Sequence, residues 1–166
     1  MATVSARRIV EHEPEHIYGF LAELDNHWRL SDRYFRLEEL RADRRGARIS
    51  IRTPCGLRRT AWTTVTTAVA PRRFGGMAVS RGGSRARVCW TIKPSESGAL
   101  VALEAAVWPA GPVDRVLLAL GGRWWLRRRL DRVVAGLGSA VEQSGRAGRR
   151  RLTGARAPLG GGFRFG

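Results

Sequence analysis

One change of period constrains the fold of this chain more than any other feature. From Phe35 to Trp108 it reads as short extended runs cut by turn residues; from Gly111 to about Ser144 it reads as one long helix. The extended runs are Phe35–Ala42, Ala47–Cys55, Leu57–Val69, Phe74–Ser80, Arg85–Lys93 and Leu100–Trp108. Between them lie Arg45-Gly46, Pro54-Cys55-Gly56, Ala70-Pro71, Arg81-Gly82-Gly83 and Pro94 to Gly98, which supply the fixed or positive φ values of tight turns. Connections this short join antiparallel neighbours, so the runs predict a meander. Ala86, Val88, Trp90 and Ile92 share one parity, while Arg85, Arg87, Thr91 and Lys93 share the other. One sheet face is therefore buried and the other wet. Val101, Leu103, Ala105 and Val107 turn inward in the next run, opposite Glu104; Trp62, among threonines, follows no clear parity.

Ahead of the meander, Thr3–Glu11 reads as a first strand. Pro14 ends it by fixing its own φ and holding Glu13 extended, then suits the first turn of a helix. Ile17, Phe20, Leu21 and Leu24 recur at helical spacing up to Asp25 and Asn26, and a second helical turn is expected over Trp28–Asp32. In the long helix, Val113, Leu117, Leu120, Trp124, Leu130, Val133, Leu137 and Val141 form the apolar stripe, with Arg127, Arg128, Arg129 and Arg132 on the other side. Gly121-Gly122 interrupts it at about 1 kcal/mol per glycine relative to alanine, which predicts a kink. After Gly145 the chain is rich in Arg, Gly and Pro. Residues 1–144 are thus expected to form one domain and residues 145–166 a basic tail without fixed structure.

The formal net charge is +16, from 30 basic and 14 acidic residues. Every basic residue but Lys93 is Arg, and nine of the acidic ones fall at or before Asp43, so the rest of the chain is strongly cationic. Such a surface points to nucleic acid or an anionic membrane, reached through Arg127–Arg132 and Arg149–Arg151. A composition biased toward Arg, Gly, Ala and Val produces the same excess without a polyanionic partner. No apolar run is long enough to span a bilayer and Met1–Arg8 lacks the apolar core of a signal peptide, so the cytoplasm is the expected location. Cys55 and Cys89 lack metal-ligand spacing and read as reduced strand thiols.

His12-Glu13-Pro14-Glu15-His16 matches the H-E-x-x-H zinc pattern, but Pro14 puts the two His astride a strand-to-helix junction instead of on one helical face. There is no nucleophile elbow, no phosphate-cradling glycine loop and no metal-ligand cluster. Neither a metal nor a cofactor is expected.

The run from Ala6 to Leu30, with its strand, proline and helix, resembles the opening of the START-like (SRPBCC) superfamily of polyketide cyclases/dehydrases and lipid-transfer proteins. The run from Ala86 to Leu137 is similar to the closing hairpin and helix of its actinobacterial members. The resemblance spans about Val4 to Gln143 and implies an α+β helix-grip fold. In that fold a curved antiparallel sheet of about six or seven strands wraps a long C-terminal helix, with two short helices after the first strand. It further implies a pocket for a hydrophobic or aromatic molecule, for which Trp28, Tyr34, Ile51, Trp62, Val88, Trp90, Leu120 and Trp124 are the expected lining. Cyclase or dehydrase chemistry needs a polarised carbonyl and a mobile proton, for which His27, Tyr34, Arg52 and Glu104 are the residue types available. Parity turns Arg52 and Glu104 toward solvent.

Overall fold

The computed structural model describes residues 1–30, 34–53 and 56–154, except for the side chains of Trp28 and residues 147–154. Among the described residues, seven antiparallel strands form one sheet in the order β1-β7-β6-β5-β4-β3-β2. They are β1 (Ala2–Val10), β2 (Phe35–Leu40), β3 (Gly46–Arg52), β4 (Arg58–Val69), β5 (Arg73–Ser80), β6 (Arg85–Ser95) and β7 (Gly98–Trp108). After β1 come two short helices, α1 (Pro14–Ala22) and α2 (Leu24–Leu30), and after β7 come α3 (Pro112–Leu117) and α4 (Arg123–Gly154). This is the α+β helix-grip arrangement.

Glu13, at φ −64° and ψ 146°, is extended, so α1 starts on Pro14 as its fixed φ requires. Ile17, Phe20 and Leu21 form the buried face of α1. Helix α4 lies along β1 and also touches β7, α1 and α2. Val134, Leu137 and Val141 from α4 join Trp90, Ile92, Val101, Leu103, Phe74 and the α1 residues in the main core. A smaller core of Ala47, Ile49 and Ala61 sits apart, covered by Leu37, Leu40 and Ile51.

Between α3 and α4, Leu118–Gly122 forms a wide turn in which Leu120 and Gly121 leave helical geometry. Gly121 has φ 109°, a left-handed value that a side chain strains, and a Cβ on Gly122 would meet the Leu117 carbonyl oxygen at 2.5 Å. The double glycine thus specifies the kink that the sequence predicts. Two boundaries differ from expectation. Strand β6 runs through Pro94, whose missing N–H is harmless because β5 pairs with β6 only as far as Thr91. Helix α4 continues past Gly145 to Gly154, so the boundary expected at residue 144 falls inside it. Arginine is a good helix former, and Arg146 pairs with Glu142 one turn earlier at 2.8 Å. The turn at Pro54-Cys55, the end of the turn expected over Trp28–Asp32 and the chain after Gly154 lie outside the described residues. Among the described residues, no helix is long and apolar enough to cross a membrane.

Candidate binding site on the concave face of the sheet

Strand register decides which side chains face the helix. One concave row runs Ala68, Phe74, Trp90, Leu103, Ala6, and its large residues fill the main core. Two rows along, Leu40, Ala47, Thr63, Ala78 and Ala86 lie side by side, all small from β3 to β6. Thr63, Ala78 and Ala86 are half-exposed although a strand flanks each of them on both sides, and Val88 in the intervening row is half-exposed too. The concave face of the central strands is therefore not sealed by α4.

Beside this floor, α4 meets β2. Trp125 stacks on Phe35 at 6.2 Å and meets the Tyr34 ring edge-on at 5.7 Å. One helical turn on, buried Arg129 places its guanidinium 4.0 Å from the Tyr34 centroid and 5.6 Å from that of Trp125. A desolvated cation over aromatic faces gains up to about 2 kcal/mol, which offsets part of the cost of burying the charge. The Trp125 Nε1 atom is buried with no hydrogen-bond partner among the described residues. An orphaned indole donor costs about 1–3 kcal/mol, and a ligand carbonyl or hydroxyl oxygen would satisfy it.

A second polar group, half-buried His27 on α2, packs against the edge of the main core. The His27 ring lies 5.3 Å from Phe74 and 6.3 Å from Trp90, and its Nε2–H donates to the Leu21 carbonyl. Burial pushes its pKa below the ordinary 6.5, against the opposing effect of that hydrogen bond. At the end of the sheet near α3, Arg59 pairs with Asp114 at 2.6 Å, and the Ser84 hydroxyl donates to the same carboxylate. A shallow cleft of about 490 Å³ opens there, between Leu57–Thr60 and Ser80–Gly82.

The expected lining residues do not gather into one site. Tyr34 belongs to the aromatic–arginine group, and Ile51 and Val88 face the concave side. Trp90 is buried in the main core and is packing, not lining. Trp62 is on the convex face, exposed beneath the Arg48 guanidinium at 5.7 Å, because inward parity on β4 belongs to Ala61, Thr63 and Val65. Leu120 and Trp124 are exposed, since the kink at Gly121 breaks the phase of the apolar stripe. The Trp28 side chain lies outside the described ones. Of the residue types suited to proton chemistry, Arg52 and Glu104 are exposed, as their parity predicts. His12 donates to the Gly138 carbonyl and His16 is exposed, so the two do not form a ligand pair.

Phe35, Trp125 and Arg129 are the site residues that sequence reasoning missed. The signal was the spacing: Trp125 and Arg129 stand four apart on one helical face, and counting back along the stripe from Leu130 leads to Leu126 and its neighbour Trp125, not to Trp124.

No family model and no curated protein matches this chain. Solved structures do. A conserved protein from Geobacillus kaustophilus superposes with a TM-score of 0.68 at 12% identity, covering 86% of this chain and 97% of that one. A protein from Thermus thermophilus gives 0.65 at 16% identity, covering 86% and 99%. The KanY protein gives 0.64 at 18% identity, covering 85% and 97%. Likeness at these identities shows the fold alone, and it shows it over nearly the whole of each relative.

Proposed function

We propose that this chain is a START-like protein of the cytoplasm that binds a hydrophobic or aromatic small molecule between the concave face of its sheet and its long helix. The observation that carries this reading is the half-exposed row Thr63, Ala78, Ala86, with Val88, at the centre of the sheet. A sheet interior built only for stability would place large apolar residues there and close them against the helix. Phe35, Tyr34 and Trp125 would hold an apolar body, while the Trp125 N–H and the Arg129 guanidinium would orient its oxygen atoms. The half-buried free thiol of Cys89 fits a reducing compartment.

Fluorescence titration of the full chain with the apolar probe anilinonaphthalene sulfonate tests the reading, together with native mass spectrometry for copurified ligand. Ala86→Trp fills the floor from a half-exposed position and is expected to weaken probe binding at least about tenfold while leaving the melting temperature nearly unchanged. Undiminished probe binding by the folded Ala86→Trp protein would place the probe elsewhere and remove the proposal.

A further inference from the structure

We infer that the protein docks on anionic lipid bilayers through its kinked α3–α4 segment, an interaction independent of any molecule bound inside. Large apolar side chains are concentrated there on the outside of the molecule: Leu120 is 81% exposed, Trp124 64%, Val113 56% and Val116 53%. Val113 and Val116 stand on α3, Leu120 in the kink itself and Trp124 on the first turn of α4, where it borders a cleft with Thr3–Ser5 and Arg127. The arrangement is built in. The left-handed Gly121 and the tight approach of Gly122 to Leu117 hold the turn from which Leu120 projects.

Charge selects the occupant. Arg115, Arg123, Arg127 and Arg128 are all exposed around these side chains, and none makes an ion pair among the described residues. The Arg128 guanidinium sits over the Trp124 ring at 5.3 Å. Asp114 is already engaged by Arg59 and Ser84, which leaves Asp131 as the only other acid before Glu142. A second copy of the chain would bring arginines against arginines. Nucleic acid would take the arginines and leave Val113, Val116 and Leu120 in water. An anionic bilayer takes both: the apolar residues and the indole enter the interface, and the arginine stems extend their charged ends to lipid phosphates.

Co-sedimentation of the full chain with phosphatidylcholine vesicles, with and without phosphatidylglycerol, provides the test. The protein is expected to partition onto the anionic vesicles and to be released as salt is raised. Leu120→Ser with Trp124→Ser should reduce partitioning by about tenfold or more. Each of Arg123→Gln, Arg127→Gln and Arg128→Gln should reduce it about fivefold, on anionic vesicles only. All these positions are exposed, so unchanged far-ultraviolet circular dichroism is expected and separates docking from unfolding. Unchanged probe titration by the serine variant would show that the docking surface and the concave site are separate. Absence of partitioning onto either vesicle overturns the inference. So does partitioning that the serine variant retains, or salt-sensitive binding to single-stranded DNA in place of vesicles.

Discussion

His27 offers the sharpest test of how the concave side is enclosed. Its ring is held between Phe74 and Trp90, and burial lowers its pKa from 6.5. In the unfolded chain the same imidazole takes up a proton as pH falls through 6.5, whereas the folded protein resists until a lower pH. The unfolded state therefore binds more protons in that window, and stability is lost on acidification below the unfolded pKa. The sign is that of a depressed pKa, with the stabilising contribution fully present above 6.5. The loss therefore sets in as pH falls through 6.5 and grows on further acidification until the folded ring also takes up its proton. Urea unfolding of the wild type and of His27→Gln across that window isolates the effect, because the amide still has an N–H for the Leu21 carbonyl but does not titrate. The stability difference between the two proteins should shrink on acidification. Parallel pH profiles would show that folding leaves the proton affinity of the His27 ring unchanged and would refute its desolvation against Phe74 and Trp90.

Other substitutions report on the rest of the framework. Leu137 is fully buried in the main core, so Leu137→Ala should cost about 3–5 kcal/mol in denaturant unfolding and lower the melting temperature strongly. Gly121→Ala places a Cβ on a left-handed residue with open space around it and should cost about 1–2 kcal/mol, measurable by thermal melting, through backbone strain alone. Trp62→Ser removes an exposed convex-face side chain; it should change stability by less than about 1 kcal/mol and leave probe binding intact.

The meander was legible because strand parity and turn chemistry are local properties. Val88, Trp90 and Ile92 fall inward as their alternation predicts, and Gly121-Gly122 kinks the helix as glycine's backbone freedom predicts. The site was less legible because its members depend on phase and register over longer distances. Trp62 could not be oriented from its neighbours, since threonines suit either face and only pairing of Ala61 with Ile49 and Ser80 fixes which side β4 turns inward. Leu120 and Trp124 were placed inside by extending one helical stripe across a break that resets its phase. Arg129 was hidden in a run of arginines that reads as a solvated face.

That arginine run shows why the net charge of the chain has no single meaning. Arg129 is buried between aromatic rings, where its charge is stabilised by their faces and its planar group adds packing. Arg59 is committed to Asp114, and Arg48 to Glu38 at 3.0 Å and Glu39 at 3.8 Å. Arg127 and Arg128, two and one positions before Arg129, point into solvent beside exposed apolar side chains. A helix rotates by about 100° per residue, so neighbours in one run are delivered to different environments. Composition fixes how many positive charges the chain carries; helical phase and strand register decide which of them enter the interior, which are neutralised locally and which remain available to an anionic surface.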